Sequence, residues 1–103
     1  MDEMNEAESP GSATCSTEGG RSVVTVAGEF DVANAHVLRQ ALATAAGPVV
    51  LDARDLRFID SSGLAVLLQH AESAGAIEIR NAPTMLRRIV SISGLGHLLR
   101  IGE

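Results

Sequence analysis

Between Phe58 and Leu68 an apolar strand-like run turns into a helix-spaced one through only four residues, Asp60-Ser61-Ser62-Gly63. A strand feeding directly into an amphipathic helix is the building unit of α/β proteins, and the rest of the chain repeats the alternation. Ala13 to Thr17 and Arg21 to Ala27 flank Glu18-Gly19-Gly20, a short Gly-rich connection suited to a hairpin. Asp31 is placed to cap a helix over Val32 to Ala46, where Leu38, Ala41, Leu42 and Ala45 recur at three- and four-residue spacing, and Gly47-Pro48 follows as its stop. Val49-Val50-Leu51 reads as a central strand covered on both faces. The helix after Ser62 carries Leu64, Leu67, Leu68 and Ala71 on one side and stops near Gly75. Ile77-Glu78-Ile79 is a further strand, Leu86, Ile89 and Val90 mark a helix closed by Ser93-Gly94, and Leu98 to Ile101 is the last strand. The predicted order is ββαβαβαβ: one α/β domain on a mixed central sheet, its first two strands antiparallel and the others joined by helical crossovers.

A chain of 103 residues supports one such core. There is no Trp or Tyr and only Phe30 and Phe58, so the core is built from Val, Leu, Ile and Ala, and single-stranded nucleic acid lacks the aromatic platforms it stacks on. Net charge is −5, with five of the 13 acids (Asp2, Glu3, Glu6, Glu8, Glu18) before the first basic residue, Arg21; the remainder is formally neutral and offers no basic face to nucleic acid or anionic membrane. Residues 1–12 read as a disordered acidic tail and 13–103 as the domain. The single Cys15 excludes an internal disulfide and reads as a small packing residue. The N-terminus lacks the apolar core of a signal peptide and no run is long enough to span a membrane, so a cytoplasmic location is expected.

The candidate site is Asp60-Ser61-Ser62-Gly63, two hydroxyls beside a carboxylate at the carboxyl end of a strand, where open α/β sheets place ligands. Asp and Ser are also ordinary helix caps, and Gly eases a tight turn. A Ser there can cap the helix, and a phosphorylated one presents anionic oxygens to the unpaired N–H groups of the helix start. A catalytic Ser61 needs a base and an oxyanion hole, whereas no Gly-x-Ser-x-Gly elbow is present and His36, His70 and His97 are scattered without zinc-ligand spacing. The expectation is a switch without enzymatic activity, cofactor or metal. Gly28-Glu29-Phe30-Asp31 is a second acidic turn, between a strand and a helix. Arg54, Arg57, Arg80, Arg87 and Arg88 form at most a loose basic patch, and Asp52 with Asp55 frames the expected loop before Phe58, a weak divalent-ion pair.

The run Val49-Val50-Leu51-Asp52-Ala53-Arg54-Asp55-Leu56-Arg57-Phe58-Ile59-Asp60-Ser61-Ser62-Gly63-Leu64 resembles the STAS-domain anti-sigma factor antagonists. Gly28-Glu29-Phe30-Asp31 is similar to that family's Gly-Glu-Leu-Asp turn, with Phe30 in place of Leu, and Ser93-Gly94-Leu95 to its closing Ser-Gly-Leu; the resemblance spans about residues 13 to 101. Many relatives add a C-terminal helix after the last strand, which the sequence up to Glu103 does not contain. The resemblance implies a protein that, unphosphorylated, binds an ATP-using anti-sigma factor serine kinase and so frees a sigma factor for transcription, as in stress responses. It implies Ser61 as the phosphorylation site, a phosphoserine phosphatase that reverses the modification, and a docking face of Gly28, Glu29, Asp31, Asp60, Ser61, Ser62 and Gly63. A constitutive STAS subunit docked on the ATPase of an ABC lipid-transport complex is the alternative that the same resemblance allows.

Overall fold

The computed structural model describes residues 11–102, so most of the expected tail, residues 1–10, lies outside the described residues. The chain runs β1 (Gly11–Glu18), β2 (Arg21–Phe30), α1 (Ala35–Ala43), β3 (Val49–Ile59), α2 (Ser61–Ala74), β4 (Ile77–Arg80), α3 (Thr84–Ser93) and β5 (Leu99–Ile101). The five strands form one sheet in sequence order; β1 is antiparallel to β2, and every later pair is parallel. This is the expected ββαβαβαβ arrangement, with β1 starting two residues earlier than the sequence pattern suggests. Each crossover steps to the next strand in the same direction, so right-handed connections stack α1, α2 and α3 on one face.

The core lies between that face and the helices. Val24, Val26, Leu51, Ala53, Ile77, Ile79 and Leu99 from the strands meet Leu38, Leu42, Val66, Leu67, Ala71, Leu86 and Val90 from the helices. The opposite face carries the alternate residues: Val23, Val50, Glu78 and Arg100 share one row across β2 to β5. Val23 and Val50 are buried there beneath charged neighbours. Arg21 pairs with Glu78 at 3.4 Å, and Arg80 reaches both Asp52 and Glu18 at 3.3 Å, tying the hairpin end to β4. Val49-Val50-Leu51 is thus covered on both faces, one side by helices and the other by ion-paired side chains.

Three expectations fail locally. Residues 52–58 are not a loop; they continue β3 as an eleven-residue strand. Its pairing with β2 shifts between Thr25 and Ala27 and again between Gly28 and Glu29, each time admitting one extra β3 residue. Inward positions therefore pass from Leu51 and Ala53, two apart, to Leu56 and Ile59, three apart, which hides the period of two. The first helix starts at Ala35 rather than Val32 and ends at Ala43, before Gly47-Pro48. Cys15 is exposed on β1 and does not pack inside.

Candidate functional site

Helix α2 begins at Ser61, and its N-cap is Asp60, whose Oδ1 accepts hydrogen bonds from the N–H groups of Ser62 (2.8 Å) and Gly63 (3.2 Å). The cap is therefore the carboxylate and not a serine, because Asp60 holds the extended backbone of a cap residue while Ser61 is already in the first turn. Ser61 is exposed and Ser62 half-buried. Among the described residues neither hydroxyl is engaged in a hydrogen bond. His70 lies nine residues further along α2, about 13 Å up the axis, too far to serve Ser61 as a base.

Gly63 anchors this junction. A Cβ there would lie 2.7 Å from Ile59 Cγ1 and 3.3 Å from Phe30 Cβ, both on buried side chains. Only glycine lets α2 start this close to the ends of β2 and β3. Those ends are joined: Phe30 pairs with Ile59, Glu29 with Phe58, and the Asp60 N–H donates to the Phe30 carbonyl at 3.0 Å. The two motifs distant in sequence, Gly28 to Asp31 and Asp60 to Gly63, thus form one edge of the molecule at the carboxyl ends of adjacent parallel strands. Gly28 sits at φ 85°, in the left-handed region, at the second register shift.

Asp31 does not cap α1. Its Oδ1 accepts from the N–H of Ala33 (2.9 Å), while its own N–H donates to Asn34 Oδ1 (2.8 Å), closing a tight turn over residues 31–34. Asn34 is the residue the sequence reading missed. It is buried, precedes α1, and its Nδ2 donates to the Glu29 carbonyl at 2.9 Å, so one amide pins both ends of the acidic turn. The spacing Asp31-x-x-Asn34 carries that signal, but helical periodicity around it masks it. Gly11 at the start of β1 packs closely against the back of the turn: a Cβ there would lie 2.5 Å from the Glu29 carbonyl oxygen and 2.8 Å from Asn34 Nδ2.

Apolar side chains stand exposed beside these carboxylates: Val32 is 78% and Phe58 47% accessible. Arg57 is 3.6 Å from Glu29 across solvent. The loose arginine patch does not assemble here, since Arg80 is held by Glu18 and Asp52, and Arg87 Nε donates to the Ala82 carbonyl. Burial alone would raise the Asp52 carboxyl, but the Asn81 amide, the Arg54 backbone N–H and Arg80 outweigh it and hold it below the usual value. Asp52 therefore binds internal donors rather than a cation shared with Asp55. Among the described residues no three His, Cys, Asp or Glu are grouped to hold a metal ion, and no helix is long and apolar enough to cross a membrane.

A family model described as "Mlab, STAS domain" matches residues 13–100. Comparison with curated proteins gives no match. Among solved structures, the chain is similar to an anti-sigma factor antagonist from Mycobacterium paratuberculosis, at 26% identity and a TM-score of 0.76 over 88% of this chain and 84% of that one. The anti-sigma factor antagonist SpoIIAA in its unphosphorylated form shares the fold, at 22% identity and a TM-score of 0.67 over 89% of each chain. So does SpoIIAA, a Bacillus cell fate determinant, in its phosphorylated form, at 22% identity and a TM-score of 0.65 over 89% of this chain and 92% of that one. A matched model across almost all described residues, on a sheet and helix order common to these structures, shows that the chain belongs to the STAS domain family.

Proposed function

We propose that this protein is an anti-anti-sigma factor controlled at Ser61. Unphosphorylated, it docks on an ATP-using anti-sigma factor kinase in the cytoplasm, and that kinase lets go of its sigma factor. Phosphorylation of Ser61 by the same kinase ends the complex, and a phosphoserine phosphatase restores it. The protein is in this reading a substrate and a ligand, not an enzyme.

The observation that carries the reading is the exposure of Ser61 one residue beyond a cap already filled by Asp60. Phosphorylation adds close to two negative charges. A phosphate on Ser61 competes with the Asp60 carboxylate for the Ser62 and Gly63 N–H groups, so its charge remains on the surface. That surface also holds Glu29 and Asp31, with Val32 and Phe58 as exposed apolar anchors. A partner that covers these residues must desolvate the new charge, and losing about 3 kcal/mol weakens a complex about a hundredfold. The similarity to an antagonist from Mycobacterium paratuberculosis, and to a fold known in phosphorylated and unphosphorylated forms, supports the same reading.

The test is affinity capture from host lysate with wild-type, Ser61→Ala and Ser61→Asp baits, partners being identified by mass spectrometry. The expected result is a kinase-fold ATPase held by wild type and Ser61→Ala and lost by Ser61→Asp. Equal capture of a transporter ATPase by all three would mark the domain as a constitutive adaptor with Ser61 a residue of the helix start only.

A further inference from the structure

The face of the sheet turned away from the helices holds a cavity of about 360 Å³ at the amino ends of the parallel strands. Its place follows from the register. Val50, Glu78 and Arg100 lie in one row across β3, β4 and β5, and Arg21, Pro48 and Ala76, each two residues before a member of the Val23–Val50–Glu78 row, stand below it on the same side. Val50 is the buried floor, Pro48 and Ala76 are apolar and accessible, and Gly102 adds no side chain on the β5 side. A concavity of this size, with an apolar floor and a few converging polar groups, has the form of a small-ligand site.

The charges select the ligand. The lining carries two guanidiniums and one carboxylate. The β4–β5 register sets Glu78 directly beside Arg100, yet Glu78 Oε1 pairs with Arg21 at 3.4 Å, across the start of β3. A Cβ at position 102 would lie 3.3 Å from Glu78 Oε2, so the glycine leaves room for the carboxylate in this position. Arg100 is exposed and has no ion pair among the described residues, which leaves one positive charge of the cavity unmatched. Arg21 keeps guanidinium donors beyond the one spent on Glu78. One surplus positive charge suits a monoanion, and the fork of a guanidinium matches the plane of a carboxylate. Pro48 and Ala76 give an apolar body surface to cover, which an inorganic anion lacks.

The geometry points to a binding site for a small organic monocarboxylate, its carboxylate held by Arg100 and Arg21 and its apolar body, a single ring or a branched chain, lying over Val50 between Pro48 and Ala76. Glu78 is a built-in competitor: it occupies Arg21 and repels a second carboxylate, which keeps the affinity low. The site lies at the end of the sheet opposite Ser61. Seven residues of β2 separate Val23, in the cavity's row, from Phe30 beside the docking edge, roughly 23 Å at ~3.3 Å per residue. A bound ligand therefore leaves that edge uncovered.

The experiment is an amide NMR titration of the full chain with sodium benzoate at constant ionic strength, with circular dichroism to confirm that each variant folds. Wild type shows saturable shifts at Val50, Glu78 and Arg100, with a Kd on the order of 1 mM. Benzyl alcohol, which keeps the ring without the charge, and inorganic phosphate, which keeps charge without the ring, each bind about tenfold more weakly or less; this comparison needs no variant. Arg100→Gln weakens benzoate about tenfold or more, and Glu78→Gln, which frees Arg21 and removes the repelling carboxylate, tightens it about threefold or more. Shifts that do not saturate or that centre on the Ser61 edge overturn the proposal. So does an equal response to benzyl alcohol or phosphate, an affinity indifferent to Arg100→Gln, or one that Glu78→Gln fails to raise.

Discussion

Replacing Gly63 by Ala tests whether the motif glycine serves packing where α2 meets the ends of β2 and β3. The new Cβ would sit 2.7 Å from Ile59 Cγ1, 3.1 Å from its Cδ1 and 3.3 Å from Phe30 Cβ. Ile59 and Phe30 are buried, so neither can swing into solvent to make room. Overpacking of this kind costs about 1–3 kcal/mol. Against that stands the helix propensity of Ala over Gly, about 1 kcal/mol in a helix interior and less in the first turn, where Gly63 lies. The strain wins, and a net loss of about 1–2 kcal/mol follows from these two terms. At about 4–8 °C per kcal/mol for a domain of this size, the melting temperature falls by roughly 4–16 °C. Urea unfolding followed by circular dichroism reads the loss directly. Adding Ile59→Ala removes the atoms the methyl group meets, so the double variant should lose less than the sum of the single losses, by about 1 kcal/mol. A Gly63→Ala protein as stable as wild type, or strict additivity with Ile59→Ala, refutes the steric reasoning.

Asn34→Ala removes the bonds to the Glu29 carbonyl and the Asp31 N–H and leaves half-buried backbone groups unpaired, an expected cost of about 1–2 kcal/mol. Faster amide exchange at Asp31 marks the loosened turn; unchanged exchange would mean that the turn holds itself. Acid should act through Asp52. Its carboxyl is held below its unfolded value, so its stabilisation is complete above about pH 4 and is lost as pH falls through the folded value. Asp52→Asn should flatten stability between pH 5 and 3 in urea titrations. Burial also lowers the His70 imidazole. The unfolded chain then takes up a proton that the folded one resists, and stability declines as pH drops through about 6.5. His70→Gln should reduce that decline between pH 7.5 and 5.5, and a slope unaltered by the substitution would exclude His70 as its source.

The order of elements was legible because each helix and strand keeps its own period over enough residues, as in Leu38 to Leu42 and in Ile77-Glu78-Ile79. The site was legible because both of its motifs end strands, and adjacent parallel strands bring their carboxyl ends together. What the sequence hid is local. The second half of β3 contains Arg and Asp at positions 54, 55 and 57, and two bulges convert a spacing of two into three, so pattern alone reads it as a loop. The start of α1 was misplaced because the Asn34 side chain accepts from the Asp31 N–H and the Asp31 side chain from the Ala33 N–H, bonds that compete with helix formation over Val32 and Ala33. Of the Asp and Ser that the sequence offers as caps, Asp60 fills the role for a geometric reason. Once Ser61 enters the helix, only the preceding carboxylate can reach the Ser62 and Gly63 N–H groups.

The central claim is that the charge state of Ser61 decides whether the docking edge is occupied. The most direct measurement is phosphopeptide mass spectrometry of the protein from host cells, separated into partner-bound and free fractions. The account predicts phosphoserine at Ser61 confined to the free fraction and unmodified Ser61 in the bound one. Phosphate at Ser61 in equal proportion in both fractions, or none at Ser61 in either while the partner binds and releases, contradicts it.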